Sequence, residues 1–214
     1  MKSQPRFSDL TRRITDAWLS NIGKQATADA ICGSVEDMLR INMVLAIIEM
    51  TGNKPQNWHL RFVRSYRIPT TLFDAEEMQS PRLLSRFSDW VSVERHVVAS
   101  CRTAVALGRP EFGRFNESVR NIRIVYDRFI LPDPSGSGRW CVVFAEVHSI
   151  SDAGMPTRFD DIDLSILQLS REGLSAADVG RTLNLSARTI EHRIAKMKVR
   201  TGVNSFVRLL AITS

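Results

Sequence analysis

The segment 158–214 constrains the fold most strongly, because it holds four short amphipathic stretches separated by residues that begin or end helices. Gly173 and Gly202 follow the first and third stretches, as glycine commonly does just past a helix C-terminus. Ser175 and Ser186 precede the second and third stretches and are good N-caps. We therefore predict four helices, covering 163–171, the residues after 175, 187–200, and the residues after an N-cap at Asn204.

The third predicted helix has two different faces. Ile190, Ile194 and Met197 recur at helical spacing and predict a buried stripe. A second stripe is polar and basic and consists of Thr189, Arg193, Lys196 and Arg200, with Arg188 and His192 on its flanks. Such a face suits contacts with phosphates and base edges in the major groove of DNA. The candidate DNA-contacting residues are Arg188, Thr189, His192, Arg193, Lys196 and Arg200. A solvated basic face on an ordinary bundle is the alternative, but the order of short helix, turn and longer helix favours DNA binding.

The same segment resembles the LuxR-type (GerE) DNA-binding domain of bacterial transcription regulators. The matching residues are Leu167, Leu169, Glu172, Gly173, Leu174, Ser175, Val179, Gly180, Leu183, Leu185, Ser186, Thr189, Ile190, Gly202 and Val203. The resemblance implies a sequence-specific transcription regulator whose third helix enters the major groove and whose last helix pairs two copies.

The chain departs from that family at three places. The family usually has His where Arg193 stands, Lys-Leu where Arg200 and Thr201 stand, and Arg near the last helix where Phe206 stands. The first change keeps basic character, and the last removes one usual backbone contact. The DNA sequence preference of the family is therefore not carried over to this chain.

Composition adds weaker constraints. The 214 residues suffice for two small domains, and a net charge of +6 favours an anionic partner such as nucleic acid, although many arginines lie outside 158–214. The absence of a long apolar run and of a signal-peptide core predicts a cytoplasmic protein without a membrane partner. Three widely spaced cysteines, Cys32, Cys101 and Cys141, suit a reducing compartment and fit no zinc pattern.

The residues before 158 divide by pattern. Helical spacing over 7–22 and 34–50 predicts an N-terminal helical segment, 1–54, that flanks the sensor or dimerises. Alternating apolar residues after Trp58 predict a strand, followed by helices over 74–90 and 91–107. Long strands are predicted over 115–131 and 139–150, joined by a polar hairpin loop at 133–138. Residues 151–157, which include Gly and Pro, are predicted to link the two halves.

Residues 55–150 resemble a PAS-type sensor domain, most clearly in the stretch YDRFILPDPSGSGRWCVVFAEV. The resemblance implies a domain that senses a small molecule or dimerises, and that modulates DNA binding. The predicted fold class is thus α+β, with N-terminal helices plus a PAS-like antiparallel sheet domain, followed by an all-α four-helix helix-turn-helix domain at 158–214.

Two alternative functions follow from the same residues. An acyl-homoserine-lactone domain would match Trp58 and Phe62, but Asp74 lies twelve residues beyond Phe62, farther than that family's spacing. An anti-activator would act by protein–protein contact through the last helix and the N-terminal domain, which the departures at Thr201 and Phe206 permit.

No catalytic or cofactor motif occurs in the sequence. A nucleophile elbow, a phosphate-binding loop and a phosphoacceptor pattern are all missing, so we expect no enzyme activity. His59, His96 and His148 have no metal-ligand spacing, and we interpret His96 as an ordinary histidine rather than a haem ligand. We predict no metal and no cofactor. The expected partners are double-stranded DNA, a second copy of the chain, and an unidentified small-molecule signal.

Overall fold

The computed structural model describes residues 5–64, 81–87, 90–119, 122–152 and 159–212. The chain forms two compact units. The first consists of Met1–Gly113 and Asp127–Glu146, and the second consists of Arg114–Tyr126 and Val147–Ser214. The fold is α+β, as the sequence predicts, and it contains one six-stranded antiparallel sheet.

The strands of the sheet follow the order β3-β2-β1-β6-β5-β4. In chain order they are β1 Met43–Glu49, β2 His59–Arg64, β3 Arg82–Leu83, β4 Glu111–Val119, β5 Ile122–Pro132 and β6 Trp140–Asp152. The predicted strands after Trp58 and over 139–150 are confirmed. The single long strand predicted over 115–131 is instead two strands, β4 and β5, which are neighbours in the sheet.

Strand β1 contradicts the helix predicted over 34–50. It pairs with β2 on one side and with β6 on the other, where Leu45 faces Phe144 and Ile47 faces Val142. Met43, Leu45 and Ile47 join one hydrophobic cluster, while Ile48 joins another. Because both faces of the strand are covered, its sequence is apolar from Met43 to Ile48 and lacks the alternation of a half-exposed strand.

Helix α1, Phe7–Leu19, confirms the helix predicted over 7–22 and ends three residues earlier. Its buried residues Phe7, Leu10, Ile14 and Trp18 belong to the same cluster as Met43 and Leu45 of β1. The Trp18 indole N–H donates to the carbonyl of Pro132 at 2.7 Å, which ties α1 to the end of β5. A short helix α2, Ala28–Cys32, completes this cluster. Residues 1–54 are therefore not a separate helical segment.

A second helical stretch confirms the helix predicted over 91–107. It begins with α3, Trp90–Val93, passes through a π-helical turn at Glu94–Val98, and continues as α4, Ala99–Leu107. Val98, Cys101 and Ala104 pack in the cluster that contains Ile48 of β1. Of the helix predicted over 74–90, residues 74–80 and 88–89 lie outside the described part, and 82–86 form β3 and a 3₁₀ turn.

The first unit also buries an ion pair. The Arg40 guanidinium donates to the Glu146 carboxylate, and the Asn42 amide donates to the same oxygen at 3.4 Å. All three side chains are buried, so the two charges compensate each other where water does not reach them.

The hairpin loop predicted at 133–138 is confirmed and is organised by Asp133. The carboxylate of this buried residue accepts from the backbone N–H of Ser135 at 2.9 Å and from the Ser137 hydroxyl at 2.7 Å. Burial alone would raise the pKa of Asp133, but these hydrogen bonds outweigh it and lower the pKa below its ordinary value.

Of the three residues matched to an acyl-homoserine-lactone pocket, the structure describes two. Trp58 is buried in the cluster around Ile48, and its indole N–H donates to the Gly52 carbonyl at 3.1 Å. Phe62 is partly buried in β2, and Asp74 lies outside the described residues.

The second unit contains all four predicted C-terminal helices. They are α5 Asp161–Arg171, α6 Ala176–Leu183, α7 Ala187–Thr201 and α8 Phe206–Ile212. The cap of α8 is Ser205, whose hydroxyl accepts from the Arg208 N–H at 3.1 Å, and not Asn204 as predicted.

These helices do not form a separate all-α domain at 158–214, because the compact unit that holds them also contains 114–126 and the end of β6. The PAS-like layout at 55–150 is likewise not confirmed, since β1 precedes that range and lies inside the sheet. Among the described residues, no helix is both long and apolar enough to cross a bilayer.

We predict that all three thiols resist modification while the chain is folded. Cys32, Cys101 and Cys141 are free and buried, and burial is the main cause that raises the pKa of Cys32 to about 12. Since the thiolate is the reactive form, a thiol reagent at about pH 8 should label none of them in buffer and all three in denaturant. Rapid labelling of the folded chain would contradict this packing.

Candidate nucleic-acid interface

Helices α6 and α7 are joined by a turn of three residues. The Ser175 hydroxyl caps α6 by accepting from the Asp178 N–H at 3.2 Å, and the Ser186 hydroxyl caps α7 by accepting from the Thr189 N–H at 3.0 Å. Asn184 ends α6 in the left-handed conformation, with φ of 58°. Asn tolerates this conformation better than most residues, so the turn closes without a glycine. Both predicted serine caps are confirmed.

Gly180 sets how closely the turn approaches α6. Its carbonyl accepts from the Leu185 N–H at 2.8 Å. A Cβ atom at this position would lie 2.7 Å from the Leu185 carbonyl oxygen and 3.3 Å from the Ala187 nitrogen. Because the clashing atoms belong to the backbone, no side-chain rotation relieves the contact. The absence of a side chain at residue 180 thus fixes the packing of α6 against the start of α7.

The buried side of α7 agrees with the predicted stripe. Ile190 and Met197 are fully buried, and Ile194 is partly buried. Val179 of α6 and Leu209 of α8 are also fully buried, and α7 packs against α5, α6 and α8. Burial of each such aliphatic side chain stabilises the folded state by about 1.5–3 kcal/mol. Rotation of α7 about its own axis would expose these side chains, so its orientation is fixed.

The six candidate DNA-contacting residues separate into two rows. Arg188, His192 and Lys196 are exposed and follow one another at intervals of four, which places them on one side of the helix over about 12 Å. Their row lies next to exposed Val199. The predicted stripe of Thr189, Arg193, Lys196 and Arg200 is not uniformly exposed, because Thr189 and Arg193 are half-buried while Lys196 and Arg200 are exposed. Both of its arginines lie on the flank that meets α5.

Arg193 and Arg200 bind two carboxylates at the start of α5. The Arg193 Nη1 atom lies 2.8 Å from Asp160 Oδ2 and 2.8 Å from Asp163 Oδ1. Arg200 donates through Nη2 to Asp163 Oδ2. Both oxygens of Asp163 are thus used, and its side chain is only 1% exposed. These four residues are named the clasp below.

The two acids of the clasp differ in their surroundings. Asp160 is 56% exposed and caps α5 by accepting from the Asp163 N–H at 2.8 Å. Burial would raise the pKa of Asp160, but hydrogen bonds from Arg193 and from the Asp163 N–H outweigh it and lower the pKa. The same arginine's bonds to Asp160 and Asp163 raise the pKa of Arg193. The charges of Asp160 and Arg193 are therefore kept at neutral pH.

Further contacts hold the neighbourhood of the clasp. The Arg200 guanidinium carbon lies 5.5 Å from the centre of the buried Phe159 ring, a cation–π distance. The Nη2 atom of Arg123, on β5, lies 3.6 Å from the Oδ1 atom of Asp161, which is the remaining acid in the first turn of α5. The Thr189 and Ser186 hydroxyls are 2.8 Å apart, so the predicted DNA contact Thr189 also belongs to the cap.

An open groove of about 660 Å³ runs along this flank of α7. Its lining residues are Asp160, Asp163, Thr189, His192, Arg193, Ala195, Lys196, Val199 and Arg200. The groove therefore has both signs of charge, whereas α7 alone carries five Lys or Arg residues and one acid. The acids that change this balance come from α5, and the sequence interpretation gave them no role at the interface.

Comparison with known proteins adds no family assignment. No family model matches the chain, and no curated protein does. The solved structures that resemble it include a ligand–DNA complex of Vibrio cholerae VqmA, with 14% identity, a TM-score of 0.37, and coverage of 87% of this chain and 85% of that one.

A complex of phage VqmA with DPO has 16% identity, a TM-score of 0.36, and coverage of 86% and 88%. A further Vibrio cholerae VqmA dimer, described with LuxR-type receptors, has 13% identity, a TM-score of 0.33, and coverage of 87% and 86%. At these identities and TM-scores the likeness assigns neither a fold nor a function to the chain.

We predict that Gly180→Ala destabilises the second unit by about 1–3 kcal/mol, as overpacking against a fixed backbone does. Ala177→Ser, at an exposed position of the same helix, is a control and should cost no more than about 0.5 kcal/mol. Chemical denaturation of both variants measures the difference. Equal stability of Gly180→Ala and the unaltered chain would show that α6 and the turn are not in close contact.

Proposed function

We propose that the protein is a DNA-binding transcription regulator and that α7 is its recognition helix. The observation that carries the proposal is the exposed basic row Arg188, His192 and Lys196 on a helix whose opposite side is buried. Such a helix can enter the major groove with its cations at the phosphates and base edges, while the rest of the unit holds it in place. The sequence resemblance to LuxR-type domains points the same way.

The short link between α6 and α7 supports the same role. A recognition helix needs a partner helix that fixes its angle, and the Gly180 contact and the two serine caps fix α6 against α7. Helix α7 carries five Lys or Arg residues and only Glu191 as an acid. An ordinary surface helix more often mixes both signs of charge.

We predict that the full chain binds a random-sequence DNA duplex with a strong dependence on salt, and that Lys196→Ala lowers the slope of log K against log salt by about one. Fluorescence polarisation over a series of salt concentrations measures it. The full chain is used because strand residues belong to the same unit as the helices.

Lys54→Ala is the matched control, since it removes the same charge at an exposed position of the first unit. The slope of this variant should equal that of the unaltered chain. If the unaltered chain shows no salt-dependent binding, the proposal fails and a module that acts by protein–protein contact is favoured instead.

We further propose that two copies act together and that the first unit senses a small molecule or mediates pairing. Helix α8 is anchored by fully buried Leu209 and by the hydrogen bond from Arg171 to the Leu210 carbonyl, at 3.3 Å, while Val207 stays exposed. This places an apolar residue where a second copy could cover it. Enzyme activity and a resident cofactor form no part of the proposal.

Native mass spectrometry of the purified chain tests pairing and ligand together. We expect a dimer of the 24.2 kDa chain, and additional mass on each copy if a small molecule is retained. A monomer at micromolar concentration would contradict pairing through α8 without affecting the proposal for α7.

A further inference from the structure

We propose that the clasp positions α7 and withholds Arg193 and Arg200 from DNA, so that the row of Arg188, His192 and Lys196 makes the phosphate contacts. The inference rests on the proposed function, because it assigns roles within the same DNA-binding helix. Five of the six candidates on α7 thus receive a role: Arg188, His192 and Lys196 touch DNA, and Arg193 and Arg200 hold the helix.

The charges of the clasp compensate each other. The clasp contains two cations, Arg193 and Arg200, and two anions, Asp160 and Asp163, all within hydrogen-bonding contact. The flank of α7 that would carry two positive charges is therefore close to neutral. A phosphate approaching this flank meets carboxylates as well as guanidinium groups. Among the described residues, Arg188 and Lys196 have no ion pair with these acids, although Lys196 lines the same groove.

Asp163 is 1% exposed, and each of its oxygens accepts from a different arginine. If either arginine turned to a DNA phosphate, it would leave a buried carboxylate oxygen without its cation, which is costly. An arginine that moved from Asp163 to a phosphate would gain a solvent-exposed ionic contact and lose a buried one. Asp163 consequently favours the state in which both arginines stay on α5.

Arg193 lies near the middle of α7 and Arg200 near its end, two turns apart, and one carboxylate on α5 holds both. Two attachment points along a helix fix its direction as well as its position. Arg200 also packs over Phe159, which precedes α5. The clasp thus fixes the direction of α7 relative to α5.

The salt dependence of DNA binding distinguishes the two roles. An arginine that neutralises a phosphate contributes about 0.9 to the slope of log K against log salt, whereas one that only positions the helix contributes affinity without slope. We expect Arg188→Ala to lower the slope by about one. Arg193→Ala and Arg200→Ala should weaken binding of the random-sequence duplex but leave the slope within about 0.3 of the unaltered chain.

Two results of the salt-dependence measurement overturn the inference. If the slope falls by about one in Arg193→Ala or Arg200→Ala, as in Arg188→Ala, that arginine contacts phosphate. If the unaltered chain shows no salt-dependent binding, the proposed function fails and this inference fails with it. Salt-dependent binding by the unaltered chain, together with a reduced slope in Arg193→Ala, leaves the proposed function standing and removes only the clasp.

A change at Asp160 is expected to raise the affinity for DNA, whereas the arginine variants lower it. Asp160→Asn keeps an N-cap for α5 and leaves Arg193 paired with Asp163, so α7 stays positioned. It removes one anion beside Arg193, so we expect about 3–10-fold tighter binding of the random-sequence duplex. Asp161→Asn is the matched control, because the Asp161 carboxylate pairs with Arg123 of β5 and not with α7. Equal tightening in both variants would show that only overall charge matters, which would contradict the clasp.

A measurement without DNA checks the positioning role. Asp163→Asn should lower the Tm of the DNA-free chain by about 2–4 °C. Arg193→Ala should lower it too, and the double variant should lose less than the sum, since both changes break one contact. Additive losses would show that Asp163 and Arg193 do not act as a pair.

Discussion

Strand β1 is the element on which the first unit depends. It lies between β2 and β6, and its side chains enter two separate hydrophobic clusters. Helix α1 covers one face through Leu10 and Ile14, and α4 covers the other through Cys101 and Ala104. A strand buried on both sides has few polar positions in its sequence, so its hydrophobicity follows from joining two cores. Removing β1 would therefore take apolar residues from both clusters at once.

This double burial explains the largest error of the sequence interpretation. A continuous apolar run has neither the alternation of a half-exposed strand nor the period of a surface helix, so the residues of β1 by themselves favour a buried helix equally well. Their partners β2 and β6 lie in other parts of the chain, so no local signal gives the pairing. The C-terminal helices were predicted well because Ser175, Ser186, Gly173 and Gly202 act through neighbouring residues only.

The candidate site was predicted in part for a related reason. Periodicity along α7 correctly gave Ile190 and Met197 as its inside. It could not show that one outer flank meets Asp160 and Asp163, which lie about thirty residues earlier. An acid at an N-cap and another three residues later already have a local explanation in helix capping, and this concealed their second role. Whether Arg188, Thr189, His192, Arg193, Lys196 and Arg200 contact DNA stays a prediction.

The division of the chain into two units has a practical consequence. The chain passes from one unit to the other after Gly113, after Tyr126 and after Glu146. The two units are therefore interlaced in sequence, and no single peptide-bond cleavage yields both of them intact. A fragment trimmed to the four C-terminal helices would lose 114–126, including the Arg123 partner of Asp161. Exchange of one unit with another protein would have to transfer three chain crossings together, so recombination at a single linker does not suffice.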